Sequence, residues 1–225
     1  MLKKELKAIV TESSKWGWVL EPDAKRLLSI CGIDVPGFSW ARSADEAIRF
    51  AEKIGFPVVG KLVSPEALHK SDVDGVVVGI DSAKSLEKTF HRFSSFKDFA
   101  GMLVEEMVCG IELIVGAKVD YQFGPVILLG MGGTAVEIYQ DTTLRMAPLK
   151  EMDVESMLKG LQAHKLLKGY RGSQPVSLEK LSQTLMAFSS LVMNLEGHFE
   201  SIDLNPVMCS AKRCVVADAR IMLQR

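Results

Sequence analysis

Strand-like and helix-like segments follow one another in this chain without strict βαβ alternation, and that order narrows the fold more than any other feature. Repeated βαβ units would give a parallel, doubly wound sheet; this mixed order predicts an α+β fold instead. Residues 3–15 read as an amphipathic helix, and Pro22 opens a second at its first turn, closed by Gly32. Ile33 to Trp40 reads as a strand. Ser43 caps the next helix, with Glu46 as its capping-box partner and Gly55 as its stop. Pro57 to Val63 is a short apolar strand interrupted by Lys61, a polar loop runs from Ser64 to Gly75, and Val76 to Ile80 is the strand that follows. Residues 82–93 look helical, and Met102 to Tyr139 is strand-rich, with turns at Cys109-Gly110, Phe123-Gly124-Pro125 and Gly132-Gly133. Two more helices are expected near 151–161 and 177–195.

The chain then closes on a hairpin. Ser201 to Val207 and Val215 to Arg220 read as two strands joined by Cys209-Ser210-Ala211-Lys212-Arg213. Alternation turns Ile202 and Leu204 towards a core and leaves Asp203 and Asn205 on the other face, while Asp218 shares a face with Val216 and Arg220. An antiparallel register centred on the turn brings Asn205 near Asp218. An amide oxygen beside a carboxylate suits a hard cation such as Mg²⁺. The same spacing also suits an exposed hairpin with ordinary polar residues.

The 225 residues are 48% hydrophobic with a net charge of −1, enough to bury the core of one large domain or two small ones. That charge balance gives no reason to expect nucleic acid. No apolar stretch is long enough to span a membrane, and the charged, amphipathic start lacks the apolar core of a signal peptide. The four cysteines show no CxxC spacing and are expected as free thiols of a cytoplasmic protein, although Cys209 and Cys214 flank the turn and can sit close.

Three upstream positions carry chemistry. Lys61, charged within an apolar strand beside a polar loop, suits phosphate as a compact point charge, with Ser71 and Gly75 as further donors; it equally suits a snorkelling strand-end lysine. In Val104 to Leu113 a strand delivers Glu105, an apolar segment through Met107 and Val108 can bond the edge of a purine, and Glu112 opens the next strand within reach of a ribose diol. Two exposed carboxylates on a hairpin are the alternative. His69, in a polar loop, can act as a base or as a phosphate-accepting nucleophile, or stand as a solvated bystander. Gly130-Met131-Gly132-Gly133 matches a phosphate loop only weakly, since no clear helix follows. Arg145 can reach a phosphate or form a surface salt bridge.

Taken together and in this order, these segments resemble an ATP-grasp domain, and above all the nucleotide-binding β subunit of the ADP-forming acyl-CoA synthetases (acetate–CoA ligase, ADP-forming), relatives of succinyl-CoA synthetase. The resemblance covers nearly the whole chain. It runs through Glu21-Pro22-Asp23-Ala24-Lys25, Gly55-Phe56-Pro57-Val58-Val59, Leu68-His69-Lys70-Ser71-Asp72, Gly130 to Gly133, Arg171-Gly172, Asp203-Leu204-Asn205-Pro206-Val207 and Val216 to Arg220. His-Lys-Ser-Asp and Asp-Leu-Asn-Pro-Val in one chain are specific to that family.

The resemblance implies one ATP-grasp domain over 1–225, with α+β subdomains at about 20–105 and 106–225 and the nucleotide held between them. It implies that Lys61 holds ATP phosphates, that Glu105, Val108 and Glu112 supply the adenine hinge and ribose carboxylate, and that Asn205 and Asp218 bind Mg²⁺. His69 would carry a phosphoryl group between ATP or ADP and a histidine on an α subunit that holds the CoA-binding domain. Asp203 takes a structural role. Gly60 departs from the larger apolar residue usual before the lysine, and Tyr170 from a small residue beside Arg171-Gly172. A non-catalytic ATP-grasp-like module attached to a protein acetyltransferase, and a stand-alone carboxylate–amine ligase, are the alternatives. Retention of His69, Lys61, Asn205 and Asp218 argues against the first of these, and the small size against the second.

Overall fold

A computed structural model describes residues 2–133, 140–172 and 174–224. The chain divides into two compact units, Met1–Val35 with Cys109–Arg225, and Pro36–Val108. It begins in the larger unit with α1 (Leu2–Ser13), β1 (Trp18–Val19) and α2 (Glu21–Ile30). The smaller unit follows with β2 (Phe38–Ala41), α3 (Ala44–Ile54), β3 (Val58–Val63), β4 (Val76–Ile80), α4 (Ala83–Ser94) and β5 (Gly101–Glu106). The chain returns to the larger unit for β6 (Ile111–Asp120), β7 (Gly124–Met131), β8 (Thr142–Met146) and α5 (Glu151–Gly160). It ends with α6 (His164–Leu167), α7 (Leu178–Asn194), β9 (Phe199–Cys209), β10 (Cys214–Val216) and β11 (Ala219–Leu223). The fold is α+β, with antiparallel sheets.

In the smaller unit the sheet order is β2-β5-β3-β4. Val58, Leu62, Met102 and Val104 pack with Ala47, Ala51, Leu86 and Phe90 of α3 and α4 in one core. Both helices start as their caps direct: Ser43 Oγ accepts from Glu46 N (3.2 Å), and Ser82 Oγ from Ser85 N (3.4 Å). The Glu46 carboxylate reaches back to Arg42 N (2.7 Å), one residue before the expected capping-box partner.

The larger unit carries a sheet of order β1-β11-β9-β6-β7-β8, with β10 paired to β9. Its core joins Leu181, Leu185, Phe188 and Val192, along one stripe of α7, to Leu113, Val115, Ile127, Ile202 and Ile221 of the sheet. Residues 20–35, expected with the Lys61 region, belong instead to this unit. Pairing explains it: Trp18 and Val19 face Met222 and Ile221 across β1 and β11, and Leu27 and Leu28 of α2 enter the same core. A link between chain ends this far apart leaves no local trace in the sequence.

Ile33 to Trp40 was expected as one strand, but only Phe38–Ala41 pairs. The chain changes unit at Val35–Pro36, and Asp34 O already accepts from Val216 N (2.9 Å). The short α6 was not anticipated. Of the strand-rich run to Tyr139, residues 134–139 lie outside the described residues.

Gly110, between β5 and β6, is set by close approach: a Cβ there would fall 2.4 Å from the Cys209 carbonyl oxygen. Ile111 pairs directly with Cys209, so β9 cannot retreat. Gly110→Ala is expected to cost about 1–3 kcal/mol through overpacking, read as a lower urea midpoint at unchanged slope.

All four cysteines are free thiols, and only Cys109 is exposed. Cys209 and Cys214 lie opposite each other across β9 and β10. A hydrogen bond to Cys214 and burial push the Cys209 thiol up, the same bond lowers Cys214, and burial raises Cys31. Under native conditions one thiol, Cys109, is expected to react rapidly with an aromatic disulfide reagent, and the other three only after unfolding. Two fast thiols would contradict this burial pattern.

Candidate functional site

Each unit presents its own set of the residues singled out from the sequence. In the smaller unit, strand alternation turns Val58, Gly60 and Leu62 towards the helices and Lys61 to the other face. Lys61 stands opposite Leu103, so Glu105, two residues along β5, shares its face on the diagonal. The two side chains meet with Nζ 3.1 Å from Oε2, at 7% and 3% side-chain exposure. Sequence reading assigned Lys61 and Glu105 to different parts of a nucleotide. The structure adds that the carboxylate directly balances the lysine's buried charge. An ammonium held in this way is a fixed cation on a strand.

Gly60 sits where Met102 folds over the strand: a Cβ would lie 2.2 Å from Met102 Cε and 3.0 Å from Ile80 Cδ1. The volume expected of a larger residue there is supplied by Met102, a flexible filler, so Lys61 keeps a packed support.

His69 is exposed in the loop between β3 and β4, just before a short 3₁₀ turn, Lys70–Val73. The base of the loop is tied down by Leu62 N to Gly75 O (2.7 Å), Ser64 Oγ to Lys97 O (3.1 Å) and Arg92 Nη2 to Asp74 O (3.0 Å). The imidazole therefore stands on an anchored loop. The Gly75 amide, considered above as a phosphate donor, is directed at Lys70 O (2.7 Å); Ser71 remains exposed.

At the end of β5, Glu106 turns back to Gly37, donating its N–H to Gly37 O (2.9 Å) and accepting from Gly37 N through Oε2 (3.0 Å). Met107 and Val108 then lead to the unit boundary at Val108–Cys109. Val108 is half-buried and outside any strand.

In the larger unit, Glu112 is exposed on β6 and abuts the glycine turn. Gly132 N donates to Glu112 O (2.6 Å), and a Cβ on Gly132 would lie 2.8 Å from that backbone. The glycines here serve close approach of two backbones. Arg145, on β8, is three strands from β9 in the sheet order. Its guanidinium bonds Leu144 O (2.6 Å) and Ser156 Oγ of α5 (2.5 Å). The sheet thus does not bring Arg145 next to Asn205 and Asp218.

Those two do come together. Asn205 N donates to Asp218 O at 3.2 Å, and Ala217 N to Pro206 O at 3.0 Å. Two features shape the pair. Leu113 and Val115 of β6 pair with Val207 and Leu204, so two steps on β6 span three on β9. This bulge moves the buried set from Ile202 and Leu204 to Val207 and Cys209 and leaves Asn205 exposed. The return strand is also broken at Ala217–Asp218, between β10 and β11. Val216 is therefore buried while Asp218 and Arg220 are half-buried, so Val216 does not share their face as the unbroken strand implied. Asp203 pairs with Arg220 (3.0 Å), while Asn205 is exposed and Asp218 half-buried at the same corner.

Sequence reading missed the corner's supports. Arg213 grips Asp34 through two contacts (2.9 and 3.2 Å), and Lys25 Nζ donates to Ala217 O (2.8 Å) while paired with Glu21. The Glu21–Lys25 spacing was visible, but nothing in it marks the pair as buried.

Two α+β units, one with a strand lysine and an anchored histidine loop and the other with a bulged hairpin bearing an amide and a carboxylate, define a nucleotide-type ATP-grasp fold. The chain belongs to the ATP-grasp domain family, which it matches over residues 11–223. It is 38% identical over 216 residues to the acetate–CoA ligase (ADP-forming) II subunit beta of Pyrococcus furiosus, covering 92% of each chain. It is 37% identical to the 4-hydroxybutyrate–CoA ligase (ADP-forming) of Nitrosopumilus maritimus, spanning 31% of that longer protein. Among solved structures it is similar to the dinucleotide-forming acetyl-coenzyme A synthetase 1 of Ca. Korarchaeum cryptofilum. That protein was solved with coenzyme A and Mg-AMPPCP, its phosphohistidine segment pointing towards the nucleotide binding site. The match has a TM-score of 0.85 at 37% identity and covers 97% of this chain and 99% of that one.

Proposed function

We propose that the chain is the nucleotide-binding β part of an ADP-forming acyl-CoA synthetase, working with an α part that carries the CoA-binding domain. The overall reaction is acyl-CoA + ADP + phosphate ⇌ carboxylate + CoA + ATP. The observation that carries this reading is the paired placement within single units of residues with complementary tasks: Lys61 with Glu105, and Asn205 with Asp218.

Lys61 neutralises phosphate charge from a fixed position, with Glu105 holding its ammonium. Val108 and Glu112 bind the purine edge and the ribose, and Arg145, held against α5 by Ser156, is the outlying phosphate contact. His69 is the nucleophile of the half-reaction. Its ring nitrogen attacks the terminal phosphorus of ATP, forming an N–P bond as the P–O bond to ADP breaks, and ADP leaves with the electron pair. The exposed loop then offers the phosphoryl group to the α part's histidine.

Asn205 and Asp218 fit Mg²⁺. Among the described residues no cluster of three or more His, Cys, Asp or Glu forms a metal site by itself. Mg²⁺ needs no such cage, because it takes one or two protein oxygens and completes its shell with phosphates and water. When bound, it supplies charge neutralisation on the phosphates. Among the described residues no helix is long and apolar enough to cross a membrane. A cytoplasmic site belongs to the same reading, supported by the free thiols.

The test is to incubate the chain with labelled ATP, Mg²⁺ and a CoA-binding α part. Acid-labile phosphate on histidine is the expected result, and its absence would remove the shuttle from the account.

A further inference from the structure

Glu21 and Lys25 lie one turn apart on α2 with both side chains wholly buried, Nζ 3.1 Å from Oε1. Pairs at this spacing ordinarily sit on solvent faces. Burying two charges carries a desolvation cost that their attraction rarely overcomes, and apolar residues of like volume often serve stability as well or better. Stability alone therefore does not account for the pair. A second contact does: Nζ also donates to the carbonyl oxygen of Ala217, at 2.8 Å, 192 residues away.

Ala217 and Asp218 lie between β10 and β11, where the return strand departs from regular geometry. The Ala217 N–H goes to Pro206 O and the Asp218 carbonyl accepts from Asn205 N. A peptide group is planar. Lys25 thus holds the plane preceding Asp218, and Asn205 holds the plane following it. The Cα of Asp218 lies between two anchored planes, which sets the direction in which its carboxylate leaves the chain.

We propose that Glu21 and Lys25 are positioning residues for the metal-ligand corner: the buried ammonium, held by Glu21, fixes Ala217 so that the Asp218 carboxylate is presented beside Asn205. The proposal rests on the reading of Asn205 and Asp218 as cation ligands. It extends that reading to α2, which has been given no nucleotide or metal contact above.

The double substitution Glu21→Gln with Lys25→Met removes both charges of the pair at similar volume. Mn²⁺ serves as the probe, titrated into the full chain at saturating ATP and followed by its paramagnetic resonance signal. Supporting contacts of this kind usually matter 10- to 100-fold to metal affinity, so the Mn²⁺ midpoint is expected to rise by about that factor. The thermal midpoint and the affinity for ATP without metal are expected to stay near those of the unchanged chain, which a merely structural role would not produce. An unchanged Mn²⁺ midpoint overturns the proposal. If the double variant does not fold, Glu21→Asp keeps both charges but shortens the carboxylate's reach. A rise in the Mn²⁺ midpoint is expected there too, and no rise overturns the proposal. Asp218→Asn separates the two claims. If it raises the midpoint while the Glu21 and Lys25 variants do not, positioning alone fails; if it has no effect, the cation reading fails and the positioning claim falls with it.

Discussion

Replacing Lys61 by methionine is expected to lower stability by up to about 3–5 kcal/mol, because removing one partner of a buried pair takes a compensating charge from the other. That partner is Glu105, 3.1 Å away at 3% side-chain exposure. Urea denaturation measures this loss. The same substitution is expected to weaken ATP binding, and a second variant separates the two effects. Lys61→Met with Glu105→Gln removes both charges, so stability should return close to that of the unchanged chain while ATP affinity does not. Hydrogen bonds to charged groups contribute about 1.5–3 kcal/mol, so the affinity loss should be about ten- to a hundredfold. Normal ATP affinity in the double variant would mean that the Lys61 ammonium does not meet phosphate and serves only to balance Glu105.

The second large effect belongs to His69. With an α part and labelled ATP, His69→Asn is expected to abolish acid-labile phosphate on the chain. His69 is exposed on a loop whose anchors are Leu62, Ser64, Arg92 and Gly75, so the fold and the affinity for ATP should not change. Loss of label with intact ATP binding is the signature of a phosphate carrier. Label that persists would place the acceptor on another residue.

Local rules carried the sequence reading well where the cause was local. Ser43 caps the helix it precedes, and the Lys61 strand, the Val76–Ile80 strand and α7 lie where apolar periodicity put them. What was hidden depended on register or on distance along the chain. The Lys61–Glu105 pair exists because β3 and β5 align Lys61 with Leu103, a register that neither strand encodes alone. The bulge and the break at Ala217–Asp218 meet at Pro206, which has no N–H to give to a neighbouring strand. The membership of residues 20–35 was obscured by a pairing between opposite ends of the chain. Asn205 and Asp218 were legible as neighbours because the hairpin turn between them is short, whereas the buried Lys25 that supports their corner reads in sequence as an ordinary surface lysine.

The central claim is that this chain binds ATP through a Mg²⁺ ion held by its closing hairpin. Calorimetric titration of ATP into the chain, with and without Mg²⁺, tests it most directly, repeated on a variant carrying Asn205→Ala and Asp218→Ala. The account predicts Mg²⁺-dependent binding in the unchanged chain and loss of that dependence in the variant. Identical Mg²⁺-dependent binding by both proteins would contradict it.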